Sequence, residues 1–214
     1  IRPASDMIVA AREADLVIEA VPEEMKLKRE IFGKLDAACP AATIFASNTS
    51  GLSVTEMARS TKRPDRVIGM HFFNPVHIMK LVELVIAEGT AEETVRAAEE
   101  VSRRMGKETV RVKDSPGFAT SRINALIGNE AFRMWEAGVA SPEDIDKAVK
   151  LGLNHPMGPF EMVDLVGLDV RLNVLKYLHK TLGDVYKPSP ILEKLVAEGR
   201  LGKKTGKGVY KCDV

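Results

Sequence analysis

Apolar residues in the first half of the chain gather into short runs separated by charged, helix-periodic stretches. Asp15–Val21, Thr43–Ser47, Arg66–Phe72, Leu81–Ile86 and Glu108–Val112 read as strands, and the first and third are apolar enough to be buried on both faces. Between them, Glu24–Ala38 carries Leu27, Ile31 and Leu35 at i, i+4, i+8, a helix stopped by Pro40. Leu52–Ala58 predicts a short helix and Ala91–Met105 a charged amphipathic one. Strands alternating with helices predict an α/β fold with a mostly parallel sheet.

Around Ser115–Gly117 the pattern changes, and only helices follow. Phe118, Ile123, Leu126, Ile127, Ala131, Met134 and Trp135 recur at helical spacing and predict a long helix with a wide apolar face. Ser141-Pro-Glu-Asp144 supplies a cap, a first-turn proline and acidic residues for the next helix, with Gly152 suited to its end. Phe160–Leu182 carries a further apolar stripe through Met162, Leu165, Val166, Leu172, Leu175 and Leu178, and Pro190–Glu198 a last short helix ended by Gly199. The expected organisation is therefore an α/β domain over 1–114 and an all-α domain over 115–214, with no internal repeat.

Composition narrows the classes. A chain of 214 residues, 45% hydrophobic and 29% charged, can bury a substantial core. Its formal net charge of +1 gives no general attraction to nucleic acid or anionic membrane. Two cysteines, Cys39 and Cys212, make neither a disulfide framework nor a metal cluster, which favours a reducing compartment, the cytoplasm. No apolar run reaches the ~20 residues that span a bilayer.

The candidate chemistry lies at one strand end. His71 closes the run Arg66–Phe72 where open α/β sheets place ligands, Asn74 and Pro75 break it, and Leu81–Ile86 returns Glu83 toward the histidine. A carboxylate orienting an imidazole general base is a recurrent catalytic pair. His71, His77 and Glu83 taken as metal ligands match no compact zinc spacing. Asn74 is placed to donate to a developing ketone or a thioester oxygen, or to serve only as a turn residue. Ser47–Ser50 closes another strand with small polar residues that suit either a site or a helix cap. Lys203 and Lys204 lie in a Gly-Lys-Lys-Thr-Gly turn that lacks phosphate-loop spacing and reads as a solvated basic turn.

Ile44–Ser50, His71–Pro75 through Lys80–Glu83, Pro156–Glu161 and the terminal Gly202–Tyr210 stand in an order that resembles the (3S)-3-hydroxyacyl-CoA dehydrogenase family, its short-chain 3-hydroxybutyryl-CoA members above all. The resemblance runs from about Asp15 to the end. It implies a Rossmann-type domain followed by a helical substrate-binding and dimerisation domain, NAD as cofactor, an acyl-CoA thioester as substrate and a homodimer. It implies His71 as base and Glu83 as its orienter. Ser50, Asn74 and Ser121 would face substrate, and Glu23, Lys28, Asn48, Ser50, Asn74 and Lys204 the cofactor. Taken alone, Glu23 and Lys28 are ordinary charges at an exposed helix start.

Two features depart from the family pattern. Many relatives carry Asn where Ser121 stands in Pro116-Gly-Phe-Ala-Thr-Ser-Arg122, and a serine is shorter with one donor. The family's cofactor domain also opens with a strand, a Gly-x-Gly-x-x-Gly turn and a helix, none of which precedes Asp15. The sequence-based expectation is a truncated, weakly NAD-binding chain. A non-catalytic fragment or dimerisation module, and a dehydrogenase of a free 3-hydroxy acid, remain the alternatives.

Overall fold

The computed structural model describes residues 2–212. The chain forms two compact units, Ile1–Phe118 and Ala119–Val214.

The first unit is a five-stranded sheet in the order β1-β2-β3-β4-β5, with β1 Leu16–Glu19, β2 Ile44–Ser47, β3 Val67–Phe72, β4 Leu81–Ile86 and β5 Glu108–Lys113. Every pairing is parallel except β3 with β4, so the sheet is mostly parallel as expected. Helix α1 (Met7–Ala11), capped by Asp6, has no counterpart in the periodicity, because five residues are too few to display one. Helices α2 (Met25–Ala38) and α3 (Val54–Ala58) pack with Phe45, Val67 and Val85. The other alternation of the same strands, Ile44, Ala46, Ile68, Met70, Val82 and Leu84, packs with Val95 and Ala98 of α4 (Glu92–Arg104).

The buried stripe of α2 differs by one position from the expected one. Lys28, Phe32 and Leu35 are buried, whereas Leu27 and Ile31 are half-buried. A lysine takes the inward place because a strand carboxylate is waiting for it, as shown below.

The second unit holds α5 (Thr120–Glu136), α6 (Pro142–Gly152), α7 (Pro159–Val166), α8 (Leu168–Leu182) and α9 (Pro190–Ala197). Ser141 caps α6 by accepting from the Asp144 amide, and Pro142 occupies the first turn. The stripe expected over Phe160–Leu182 is two helices, broken at Gly167, whose φ of 114° is open to glycine and closed to most other residues. Leu168, Leu172, Leu175 and Leu178 pack with Phe132, Phe160 and Val163 in one core. Ile123, expected on the buried face of α5, is instead 60% exposed.

Two carboxylates organise this core. Asp146 accepts from the Phe160 and Glu161 amides at 2.8 and 3.1 Å and from the Tyr210 hydroxyl at 2.9 Å, so α6 caps α7 and holds the tail. Asp164 accepts from the Val209 and Tyr210 amides, both at 2.8 Å. Burial pushes the Asp146 carboxyl up, against the lowering effect of those bonds, and burial with the adjacent Asp146 pushes the Tyr210 phenol up.

Candidate active site

Strand β3 is buried from Val67 to His71 and runs antiparallel to β4 with Gly69 opposite Val85, Met70 opposite Leu84 and His71 opposite Glu83. Directly opposed residues share a face, so this register alone brings the imidazole beside the carboxylate. His71 Nδ1 lies 2.7 Å from Glu83 Oε2, with side chains 6% and 0% exposed. A carboxylate accepts only, so the geometry assigns the proton between them to Nδ1 and leaves the Nε2 lone pair to receive one. Phe73 and Phe118 flank the ring, with centroids 4.4 and 5.8 Å away.

Gly69 keeps β3 close to its neighbours. A Cβ there would sit 2.7 Å from Val85 Cβ and 3.0 Å from Val54 Cγ2. No positive φ is involved, so the requirement is close packing.

The carboxyl ends of β1, β2 and β3 are tied together by Asn48. Its amide donates to Glu19 O at 2.8 Å, and its side-chain Oδ1 accepts from the Phe72 amide at 2.9 Å, one residue past the histidine. Glu23 Oε1 accepts from Thr49 Oγ1 at 2.6 Å and from the Ser50 amide at 2.9 Å. Thr49 Oγ1 in turn accepts from the Leu52 amide, which shapes the turn into α3. Lys28 is fully buried, 2.7 Å from Glu19 and 3.5 Å from Glu23. It is no ordinary exposed charge.

The first unit thus gathers Glu23, Lys28, Asn48, Ser50, His71 and Glu83 at one end of its parallel strands, with Asn74 exposed just past β3. Ser121 and Lys204 belong to the second unit. Ser121 is half-buried in the first turn of α5, and the Lys204 ammonium pairs with Asp169 at 2.6 Å. Glu19 escaped the sequence reading, and Ser47 and Thr49 entered it only as members of the polar turn Ser47–Ser50. The available signal was Glu19, a carboxylate inside an otherwise apolar strand.

Residues 1–115 match the family described as 3-hydroxyacyl-CoA dehydrogenase, NAD binding domain, and residues 117–212 match its C-terminal domain. The chain belongs to the 3-hydroxyacyl-CoA dehydrogenase family. It is 50% identical over 207 residues to a probable 3-hydroxybutyryl-CoA dehydrogenase of Bacillus subtilis (strain 168), covering 96% of this chain and 72% of the relative. A 3-hydroxybutyryl-CoA dehydrogenase of Clostridioides difficile is 49% identical over 200 residues, covering 93% and 71%. The crystal structure of (S)-3-hydroxybutyryl-CoA dehydrogenase from Ralstonia eutropha superposes with a TM-score of 0.94 at 44% identity, covering 98% of this chain and 75% of that one.

Membership makes the chain an oxidoreductase with NAD as cofactor. The residues present suit its nicotinamide-ribose half. A partly exposed carboxylate, a hydroxyl and an amide at the strand ends match the donors and acceptors of a ribose and a carboxamide.

Proposed function

We propose that this chain oxidises short (3S)-3-hydroxyacyl-CoA thioesters such as 3-hydroxybutyryl-CoA to the 3-oxoacyl thioester, with His71 as general base and Glu83 as its orienter. The observation that carries this reading is the buried 2.7 Å contact between them. A hydroxyl carbon gives up hydride only as its oxygen loses a proton, and Nε2 of His71 is the nitrogen free to take it. Glu83 stays ionised, fixes the tautomer and stabilises the imidazolium as it forms. The chemistry supplied by bound NAD is acceptance of the hydride from C3.

Asn48 holds the backbone just after the base. Asn74 donates to the developing ketone or the thioester oxygen, and Ser50 and Ser121 bind substrate. Glu23, Lys28, Asn48, Ser50, Asn74 and Lys204 are assigned to cofactor binding.

The helical unit is assigned to substrate binding and homodimerisation. Ile123, Leu151, Leu153 and Leu165 are 60%, 76%, 67% and 52% exposed, large apolar side chains available for a second copy to cover. Among the described residues no helix is long and apolar enough to cross a membrane. Two cysteines, Cys39 and Cys212, make no disulfide framework, which favours a reducing compartment, the cytoplasm.

The test is NADH formation by the protein expressed from its whole gene, with (3S)- and (3R)-3-hydroxybutyryl-CoA and free 3-hydroxybutyrate compared. Turnover of the (3S) thioester at roughly hundredfold or more over the other two is expected. Equal turnover of the free acid would reassign the substrate class, and no turnover by folded protein would leave only a binding role.

A further inference from the structure

Glu19 ends β1 with a carboxylate that is 5% exposed, and both its oxygens are engaged. Oε1 accepts from Lys28 Nζ at 2.7 Å and from the Val21 amide at 2.6 Å, while Oε2 accepts from Ser47 Oγ at 2.6 Å. Lys28 also donates to the Val21 carbonyl at 3.2 Å and lies 3.5 Å from Glu23 Oε2. Glu23, whose side chain is 43% exposed, spends its other oxygen on Thr49 and the Ser50 amide.

A continuous polar chain therefore runs Ser47, Glu19, Lys28, Glu23, Thr49, Ser50, with its middle inside the protein and its end on the turn beside the base. Proton abstraction by His71 uses none of its interior members. Stability does not account for it either, because two charges taken out of water gain little net from pairing. What the network does is fix direction, since each fully bonded polar group has one place to be.

We propose that Glu19 is a positioning residue for cofactor binding. Through Lys28 and Ser47 it holds Glu23 and the Asn48–Ser50 turn in the orientation that receives the nicotinamide-ribose half of NAD, an inference that rests on the site assignment above. With Glu19 neutral, the buried Lys28 ammonium keeps Glu23 as its one neighbouring carboxylate among the described residues. Glu23 then turns inward to neutralise it, and its bonds to Thr49 and Ser50 break.

The experiment is calorimetric titration of NAD into wild type, Glu19→Gln and Ser47→Ala, each expressed from the whole gene, with thermal melts to show that the variants are folded. Glu19→Gln is expected to weaken NAD binding about tenfold and Ser47→Ala about threefold, as loss of two or one oriented hydrogen bonds implies. KM for NAD should rise in parallel while kcat at saturating NAD stays within about threefold, a split that simple loss of stability does not produce. NAD affinity within about twofold of wild type in folded Glu19→Gln would overturn the proposal. If that variant does not fold, unchanged affinity in Ser47→Ala overturns it. Affinity is read without turnover, so a wild type that binds NAD yet fails to oxidise the thioester contradicts the functional assignment and leaves the role of Glu19 to be decided by these values.

Discussion

Glu83 stands directly opposite His71 in the antiparallel register of β3 and β4, and their side chains meet at 2.7 Å with almost no exposure. The register of the two strands brings the pair together. Glu83→Gln keeps size and shape but removes the charge proposed to stabilise the imidazolium. We expect kcat to fall roughly 10- to 100-fold, less than loss of the base itself, with a melting temperature near that of wild type. Loss of folding in place of loss of rate would mean that Glu83 serves the core.

Gly69, two residues before His71 on the same face of β3, is expected to tolerate no side chain. Gly69→Ala pushes a methyl into Val85 and Val54, which are both fully buried, and overpacking of this kind costs about 1–3 kcal/mol. Denaturant unfolding measures it. A cost near zero would show that β3 and β4 can separate without consequence.

Much of this architecture is legible in the sequence, for identifiable reasons. The strand runs and the placement of His71 and Glu83 follow from short apolar or alternating stretches with clear breakers, such as Asn74-Pro75. The Lys28–Glu19 pair was not legible, because neither residue type nor helical spacing says that a lysine near a helix start turns inward. Seeing it requires the depth of Glu19 at the end of β1, a tertiary fact. The break at Gly167 was hidden by an apolar stripe that continues on both sides of it. The exposure of Ile123 shows the converse, a helical period that marks a face without saying what covers it.

Protonation of Asp146 should leave a pH signature on the stability of the helical unit. Its carboxyl is raised by burial, so the folded state holds the proton more tightly than the unfolded chain. The stability gained this way is complete below the ordinary aspartate value and is lost as pH rises through the raised folded value. Asp146→Asn removes this dependence. The melting-temperature difference, wild type minus variant, is therefore expected to shrink as pH rises from the ordinary aspartate value through the raised folded one, and a difference that grows would reverse the assignment.

The exposed apolar residues of the helical unit are expected to be covered in solution by a second copy. Sedimentation at micromolar concentration should give a dimer. A monomer with no tendency to associate would leave Leu151 and Leu153 without the partner assigned to them.

In the proposed reaction His71 takes the hydroxyl proton. The most direct test of this step is kcat for (3S)-3-hydroxybutyryl-CoA oxidation by His71→Ala in the protein expressed from its whole gene, at saturating substrate and NAD, with cofactor affinity measured alongside. A positioned base contributes about 10²–10⁴-fold, so kcat should fall by that factor while NAD affinity stays near wild type. A loss below about tenfold would remove His71 from the mechanism.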